Sequence, residues 1–393
     1  MKYFVLILDG AAGLPLPDRN SKTCLELAVT PHLDAMVKEG TLGLARNVPP
    51  GMEPSSACAC MSVLGYDPAV YYKGRAGIEA RSMGIDIAED EVVFRCNLVT
   101  LRDGRMWDYS AGHINTDEAA EIIEFLNKEL GTSNITFYPG IGYRHILKIA
   151  GNEDTIQAIC TPPHDIPGKS VADYLPKGPG SDLLNELMAR SQDLLRSHII
   201  NVERNSRGEE AVSSVWLFWG SGRAPEMPPF SETYGVRAAM TSGVDLLRGL
   251  AMMAGMSVLD IKGVTDGLDN DYVAQAVGAV NALKEHDMVV IHVEAPDDAG
   301  HDGLIDEKIK AIEYSDAEII GRLKKMGKDE LRGLVLPDHY TPIISRIHIA
   351  DPVPFLLWGS GIESNGAERF TESEAGKTGL FIEQGYKIMS ELL

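Results

Sequence analysis

The stretch DMVVIHVEAPDDAGHDG, residues 287–303, joins an apolar run to a cluster of carboxylates and imidazoles. A continuous apolar run of this length is typical of a strand buried on both faces, as in the parallel sheet of an α/β fold. Asp297 and His301 follow the run at a spacing that suits two ligands of one metal ion. Taken alone, the stretch is equally compatible with a charged surface loop.

Other apolar runs and the helical patterns between them predict the rest of an α/β domain. The runs that end in polar residues are YFVLILDG (3–10), RGLVLPDH (332–339) and VPFLLWGSG (353–361). Amphipathic helical patterns cover residues 30–40, 242–255, 270–286 and 304–327, with Thr30 as a candidate N-cap. Alternating strands and helices favour a mostly parallel sheet flanked by helices.

The middle of the chain has a different pattern, which predicts an inserted α+β domain. It contains a hairpin with an Asp-Gly turn (92–112), a helix (117–130), strands near 135–149, a Pro/Gly-rich stretch (161–180), a long helix (181–201) and a further run (212–222). We expect residues 1–75 and 235–393 to form the α/β domain and 76–234 to form the inserted domain. Linkers are predicted near 70–90 and 223–240.

Composition limits the partners and the compartment. The chain of 393 residues carries 36 Lys+Arg against 57 Asp+Glu, a net charge of −21, which disfavours nucleic acid and anionic membranes. Asp9 interrupts the apolar start, which therefore predicts a strand and not a signal segment. Five sparsely placed cysteines argue against a disulfide framework, so we expect a cytoplasmic protein. The expected assembly is a monomer or a small homo-oligomer.

Polar residues at the ends of the predicted strands suggest a metal centre. Asp9, Asp338, His339 and His348 join Asp297 and His301. In open α/β sheets, ligand-binding residues gather beyond the carboxyl ends of the strands. Mixed carboxylate and imidazole ligands suit Mn²⁺, Zn²⁺ or Fe²⁺, and two such ions can stabilise the attacking and leaving oxygens of phosphoryl transfer. A non-catalytic metal-binding protein is the alternative.

These motifs also resemble a known family. The DG after the first strand, PDDAGH, DH and HIADPVPF are similar to the metal-ligand signatures of the alkaline phosphatase superfamily, closest to its cofactor-independent phosphoglycerate mutase branch of archaeal type. Further matches are LGYDP (64–68), YKGRAGIEARSMGI (72–85), GYRHILKI (142–149) and GSGRAPEMPPF (220–230). The resemblance implies a phosphatase-like domain interrupted by a smaller one. It also implies that the protein interconverts 3-phosphoglycerate and 2-phosphoglycerate without bisphosphoglycerate.

The resemblance also implies roles for individual residues. One divalent ion, with Mn²⁺ expected before Zn²⁺, Mg²⁺ or Co²⁺, would be held by Asp297, His301 and His348, and a second ion by Asp9, Asp338 and His339. Ser56 would be the nucleophile and a further metal ligand, with Ser55 as the neighbouring candidate. A helix that begins at this point would also favour a phosphate group.

An acidic enzyme that acts on phosphoglycerate needs cations in its pocket. The candidates for substrate binding are Arg75, Arg81, His113, Arg144, Lys169, Arg223 and Arg248. Ala57 and Cys60 depart from the family pattern, which commonly has an acidic residue after the nucleophile and a His or Asn four positions after it. A homoserine kinase-like phosphotransferase or a phosphatase on the same scaffold is therefore the alternative, although no Walker-type loop supports ATP use.

Overall fold

The computed structural model describes residues 1–223 and 226–393. The chain divides into two compact units, which we call unit 1 (Met1–Tyr72 and Glu226–Leu393) and unit 2 (Lys73–Pro225). Part of the matched motif at 220–230 and of the predicted linker at 223–240 lies outside the described residues. Within the described ranges, no helix combines the length and the apolarity needed to cross a membrane.

Thirteen strands are present in the described part of the chain. They are β1 Lys2–Leu8, β2 Thr41–Ala45, β3 Glu91–Arg102, β4 Arg105–Asp108, β5 Ile135–Tyr138, β6 Arg144–Ala150, β7 Ser214–Gly222, β8 Ala238–Thr241, β9 Ser257–Val258, β10 Met288–Val293, β11 Leu331–Leu336, β12 Val353–Gly359 and β13 Phe381–Ile382.

The α-helices are mostly short, and they alternate with the strands in unit 1. They are α1 Cys24–Leu27, α2 Pro31–Val37, α3 Ser56–Val63, α4 Pro68–Tyr71, α5 Arg75–Ser82, α6 Thr116–Leu130, α7 Ser181–Leu195, α8 Ile199–Ser206, α9 Phe230–Tyr234, α10 Asp245–Met253, α11 Tyr272–Ala282, α12 Ala295–Asp302, α13 Ile305–Tyr314, α14 Gly321–Leu323, α15 Glu372–Lys377 and α16 Ile388–Leu392.

The sheet of unit 1 confirms the predicted mostly parallel α/β architecture. Its strand order is β13-β2-β12-β11-β1-β10-β8-β9. Strand β1 pairs in parallel with both β10 and β11. Strand β12 runs antiparallel to β11 and to β2, so the run VPFLLWGSG does not belong to the parallel part of the sheet.

The core of unit 1 explains why its strands are apolar throughout. Phe4, Leu6 and Leu8 of β1 share one core cluster with apolar residues of α1, α2, α11 and α13. Val5 and Ile7, which point to the other face, are fully buried as well. Since both faces of β1 are covered, no position on it favours a polar side chain until the strand ends.

Two predicted helices are interrupted, and the linker predicted at 70–90, which includes the unit boundary after Tyr72, also contains a helix. The helix predicted at 181–201 is interrupted after Leu195, and α8 begins at Ile199. The segment predicted as a linker at 70–90 contains α5, whose buried residues pack against β3 and β7. A π-helical segment, Ser315–Ile320, interrupts the helix predicted at 304–327.

The N-terminus of α2 is capped from a distant part of the chain. Thr30 occupies the N-cap position, but its side chain makes no capping hydrogen bond. The Asp316 carboxylate instead accepts hydrogen bonds from the backbone amides of His32 (3.2 Å) and Leu33 (2.6 Å). The predicted cap residue is therefore replaced by an acidic residue of the π-helical segment, which suits the positive end of a helix.

Unit 2 is an antiparallel sheet with its own core. Its strand order is β4-β3-β6-β5. Strand β7 pairs with β3 on the edge opposite β6. The predicted Asp-Gly turn is confirmed: Asp103 and Gly104 both have positive φ between β3 and β4, as a two-residue hairpin requires. Apolar residues of α6 and α7 form one buried cluster with β3 and β7.

A buried ion pair joins α5 to the sheet of unit 2. Glu79 on α5 contacts the Arg95 guanidinium on β3, and it also accepts a hydrogen bond from Arg75 Nε at 2.8 Å. Both members of the Glu79–Arg95 pair are more than nine-tenths buried. Burial by itself raises the pKa of Glu79, but the two guanidinium groups outweigh it and lower the pKa to about 2.

We expect Glu79→Gln to lower the free energy of unfolding of unit 2 by about 3 kcal/mol at neutral pH, because it leaves the Arg95 charge buried without its partner. The stability from Glu79 is present above its unfolded pKa and is lost as the pH falls from about 4.5 through about 2. The difference between wild type and variant should therefore shrink at low pH. Denaturation followed by tryptophan fluorescence at several pH values measures it, since Trp107, Trp216 and Trp219 all lie in unit 2.

Glu89→Gln is the matched control for this experiment. Glu89 is a carboxylate of the same unit whose side chain is 92% exposed, so its removal should change stability very little. A Glu79→Gln loss that equals the Glu89→Gln loss, or that is constant with pH, would contradict the assigned role of the buried pair.

Candidate metal centre

Three carboxylates meet at the carboxyl ends of three adjacent parallel strands. Asp9 follows β1, Asp338 follows β11, and Asp297 lies in the first turn of α12, which begins directly after β10. All three residues are at most 4% exposed. The parallel pairing of β1 with both neighbours accounts for the convergence, because parallel strands place their carboxyl ends at one edge of the sheet.

The first predicted ligand set, Asp297, His301 and His348, is brought together. His301 Nε2 lies 3.2 Å from Asp297 Oδ2 and 2.8 Å from His348 Nε2. His348 Nε2 lies 3.5 Å from Asp297 Oδ1. Asp297 and His301 stand one turn apart on α12 and so project from the same face of that helix, where the alternative for this stretch was a charged surface loop.

The second predicted set, Asp9, Asp338 and His339, converges on one imidazole nitrogen together with Ser56. His339 Nε2 lies 3.2 Å from Asp338 Oδ2, 3.6 Å from Asp9 Oδ1 and 3.2 Å from Ser56 Oγ. Ligands about 2.1 Å from a tetrahedral ion are about 3.4 Å from one another. The spacing in both sets therefore fits atoms that surround a metal ion.

Ser56 is the first residue of α3. Ser55 is the N-cap, and its hydroxyl accepts a hydrogen bond from the Cys58 amide at 3.3 Å. The Ser55 hydroxyl thus caps the N-terminus of the helix, whereas Ser56 Oγ lies next to His339. The positive end of the helix dipole lies at the same place and favours an anion near Ser56.

The charges of the cluster also fit divalent cations. Burial raises the pKa of Asp9 well above its usual value, and the carboxylate of Asp338 raises it further. Asp9 Oδ1 is buried and has no hydrogen-bond partner among the described residues. Burial lowers the pKa of His339 to about 4, so its imidazole is neutral at physiological pH, as a metal ligand must be.

His292 is a buried residue of the site that the sequence analysis missed. Its Nε2 lies 2.7 Å from Asp9 Oδ2, and its Nδ1 lies 3.0 Å from Ser242 Oγ, which accepts a hydrogen bond from the Val244 amide. With Asp9 ionised, His292 Nε2 donates to it and the Ser242 hydroxyl donates to Nδ1. This chain of hydrogen bonds orients Asp9. The available signal was a histidine inside an otherwise apolar strand.

Cys60 was noted only as a departure from the family pattern, but it lies beside the cluster. Its thiol is 3.5 Å from Asp338 Oδ2, and its sulfur is within 4.8 Å of ligand atoms of Asp9 and His292. It stands one turn after Ser56 on the same helix, which explains its position. Ala57, the other departure, is fully buried.

The predicted substrate residues of unit 2 are linked by aromatic rings. The Arg75 guanidinium lies 4.3 Å from the ring of Trp219, and Arg144 lies 5.4 Å from that of Tyr143. A series of neighbouring rings runs from Trp219 to Tyr143 through His164 and Tyr109. The His113 ring lies beside Tyr143. Trp219 and His113 both have positive φ, a costly backbone conformation for such residues that is often found at functional sites.

The remaining cationic candidates occupy different surroundings. Arg223 is half-exposed and lies 3.8 Å from Glu89, and Arg81 is half-exposed and paired with Asp86 at 3.1 Å. Lys169 donates to the Asp165 carbonyl. Arg248 is half-buried on α10, a helix of unit 1 that packs against α3.

The fold and the site define an α/β protein with an inserted antiparallel unit and a buried cluster of carboxylates and imidazoles. A family model described as 2,3-bisphosphoglycerate-independent phosphoglycerate mutase matches residues 37–201. A protein with that name from Methanosarcina barkeri is 47% identical over 384 residues, covering 97% of this chain and 96% of its own. Its counterpart from Methanothrix thermoacetophila is 44% identical over 397 residues, with both chains fully covered.

Solved structures agree with these matches. The PH0037 protein from Pyrococcus horikoshii is similar over the whole of this chain and 96% of its own, with a TM-score of 0.83 and 29% identity. The cofactor-independent phosphoglycerate mutase from Thermoplasma acidophilum covers the whole chain and 99% of its own, with a TM-score of 0.64 and 26% identity. The chain therefore belongs to the 2,3-bisphosphoglycerate-independent phosphoglycerate mutases, a family of enzymes.

We expect protein that is stripped with a chelator and reloaded with Mn²⁺ or Zn²⁺ to hold two ions per chain. Ions that bind only the native arrangement should stabilise it by about 2.7 kcal/mol at roughly a hundred times the Kd. Elemental analysis together with thermal unfolding measures both effects. Asp9→Asn should lose one ion, whereas Asp351→Asn, an exposed residue of the HIADPVPF motif, should lose none. At most one ion in the wild type would contradict the two-ion site.

Proposed function

We propose that this protein interconverts 3-phosphoglycerate and 2-phosphoglycerate through a phosphoserine at Ser56, beside two divalent ions. The observation that carries the proposal is the position of Ser56 Oγ, at the start of α3 and 3.2 Å from His339 Nε2. A buried serine at a helix N-terminus, surrounded by a carboxylate and imidazole cluster, suits transfer of a phosphate group. Family membership identifies the substrate class.

Each of the two ligand sets would hold one ion. Asp297, His301 and His348 would hold one ion, and Asp9, Asp338 and His339 the other, with Ser56 as a further ligand of the second. Ions in these positions would lower the pKa of the serine hydroxyl and offset the charge of the phosphate. Mn²⁺ is the expected ion, and the mixed carboxylate and imidazole donors suit it, as they also suit Zn²⁺ or Fe²⁺.

The residues around Ser56 favour transfer over hydrolysis. Ser56 is only 6% exposed, which limits the access of water to the phosphoserine. The Cys58 amide donates to Ser55, but the amides of Ser56 and Ala57 before it have no partner within the helix and can donate to phosphate oxygens. Phosphoserine formation and its reversal can therefore take place at one anion-binding position.

Retention of glycerate between the two transfers is assigned to the arginines of unit 2. The glycerate carboxylate needs a charge-assisted partner, and a chain of net charge −21 offers few places for an anion. Arg75 and Arg144 both stand over aromatic rings in unit 2, which holds the planar guanidinium groups in defined orientations. Arg223 is the third candidate, at the end of β7.

We expect purified protein with Mn²⁺ to convert 3-phosphoglycerate to 2-phosphoglycerate in phosphorus NMR spectra without added bisphosphoglycerate. Ser56→Ala should reduce the rate by at least about a thousandfold, since loss of the nucleophile removes the covalent route. Ser55→Ala should have a much smaller effect, because it removes only the helix cap, at a cost of about 1 kcal/mol of stability.

A parallel reaction with homoserine and ATP tests the alternative that Ala57 and Cys60 keep open. Phosphohomoserine as the main product, with no phosphoglycerate conversion, would overturn the proposed reaction. A phosphopeptide that maps to Ser55 or Ser62, and not to Ser56, would overturn the assigned nucleophile.

Arg144→Ala and Arg223→Ala separate the mutase from a phosphatase. Arg223→Ala should lower mutase turnover by about a hundredfold, because a lost charge-assisted hydrogen bond costs about 1.5–3 kcal/mol and misplacement of the substrate adds to it. Hydrolysis to glycerate should fall less, so the ratio of hydrolysis to transfer rises. Arg196→Ala, which removes an exposed guanidinium of unit 2 paired with Asp193, is the control. An unchanged ratio in both variants would place glycerate retention elsewhere.

A further inference from the structure

Lys308 is a charged side chain at the centre of unit 1 that no part of the proposed reaction uses. It lies on α13, and its exposed fraction is 0%. Its Nζ donates one hydrogen bond to the Gly10 carbonyl and another to the Thr341 carbonyl, both at 2.6 Å. A full lysine charge is rarely buried in this way, because removing it from water is costly.

The two carbonyls belong to the loops that carry one of the proposed ligand sets. Gly10 directly follows Asp9, and Thr341 lies two residues after His339. The pairing of β1 with β11 ends at Ile7 and Leu336. Beyond it, the two loops meet through the Gly10 amide, which donates to Asp338, and through the Thr341 amide, which donates to the Ala12 carbonyl. The Lys308 ammonium adds a further link between the Asp9 loop and the Asp338–His339 loop, and it is the one that comes from a helix outside both loops.

Helix α12, which carries Asp297 and His301 of the other ligand set, approaches the Thr341 carbonyl and Lys308 as well. A Cβ on Gly300 of α12 would lie 2.7 Å from the Thr341 carbonyl oxygen and 3.1 Å from Lys308 Nζ, so only glycine allows this approach. The Thr341 hydroxyl also donates to the Asp297 carboxylate. The segments that hold Asp9, Asp297 and Asp338 thus come together around one ammonium group.

We propose that Lys308 is a positioning residue that holds the two groups of ligands at the separation the ions require. The proposal rests on the two-ion site proposed above. In this role Lys308 acts through its hydrogen bonds to two backbone carbonyls, and not as a positive charge that offsets the carboxylates. The counter-charge role predicts the opposite effect on metal affinity, because loss of a positive charge near Asp297 and Asp9 would strengthen the attraction for cations.

Lys308→Met and Lys308→Gln form a matched pair for the test. Both substitutions remove the charge and have side chains of equal length, but only the glutamine amide can donate hydrogen bonds to the two carbonyls. Lys310→Met is the control, since Lys310 lies on the same helix, is 58% exposed and pairs with Glu307. Calorimetric titration of chelator-stripped protein with Mn²⁺ gives the number of ions and their affinities, and circular dichroism checks the fold.

We expect Lys308→Met to weaken the affinity for at least one ion by about tenfold or more, which corresponds to about 1.4 kcal/mol. Lys308→Gln should recover most of that loss, and Lys310→Met should match the wild type. In steady-state assays with 3-phosphoglycerate, Lys308→Met should lower kcat more than it changes KM. A merely structural contribution would lower thermal stability and leave the Mn²⁺ affinity of the folded protein unchanged.

Equal metal affinities in the Met and Gln variants, whether weaker than, stronger than or the same as wild type, would overturn the positioning role. Loss of the fold in both variants would do so as well. If only Lys308→Met fails to fold, near-wild-type affinity in Lys308→Gln supports the proposal, and lost affinity overturns it. Wild-type protein that does not bind two ions would instead contradict the proposed metal site, so the two failures are distinguishable.

Discussion

The parallel pairing of β1 with β10 on one side and β11 on the other is the constraint on which the site depends. It places Asp9, Asp297 and Asp338 at neighbouring strand ends, all of them buried. Ionised carboxylates at such positions are strongly unfavourable unless cations or hydrogen-bond donors compensate them. Much of the surrounding structure supplies that compensation.

The donors around the carboxylates come from every segment that reaches the strand ends. His292 contacts Asp9, the Thr341 hydroxyl contacts Asp297, and the Gly10 amide donates to Asp338 at 3.1 Å. Gly10 has positive φ, and a Cβ at this position would overlap the Asp297 carboxylate. Each carboxylate thus has a protein partner that orients it.

In the proposed reaction, the role of unit 2 is to bind an organic anion, although the chain as a whole is acidic. Its guanidinium groups are held by neighbours of two kinds. Glu79 neutralises and orients Arg95 and Arg75, while aromatic rings lie beneath Arg75 and Arg144. Fixed guanidinium groups lose less entropy when they bind a carboxylate, which suits a ligand that must be held during re-orientation.

Local patterns were enough to predict the α/β class, the inserted α+β unit and the six metal-ligand candidates. The reason is that buried strands, amphipathic helices and ligand motifs each depend on residues that are close together in the sequence. Contacts between distant residues were not accessible in this way. Asp316 caps α2 from 283 residues away, and His292 reaches Asp9 across the same distance. Lys308 occupies the apolar stripe of its helix with Ala311 and Ile312, yet only the folded chain reveals the two carbonyls that it binds. Side chains that satisfy buried groups are selected by the cavity they enter, and tertiary packing alone defines that cavity.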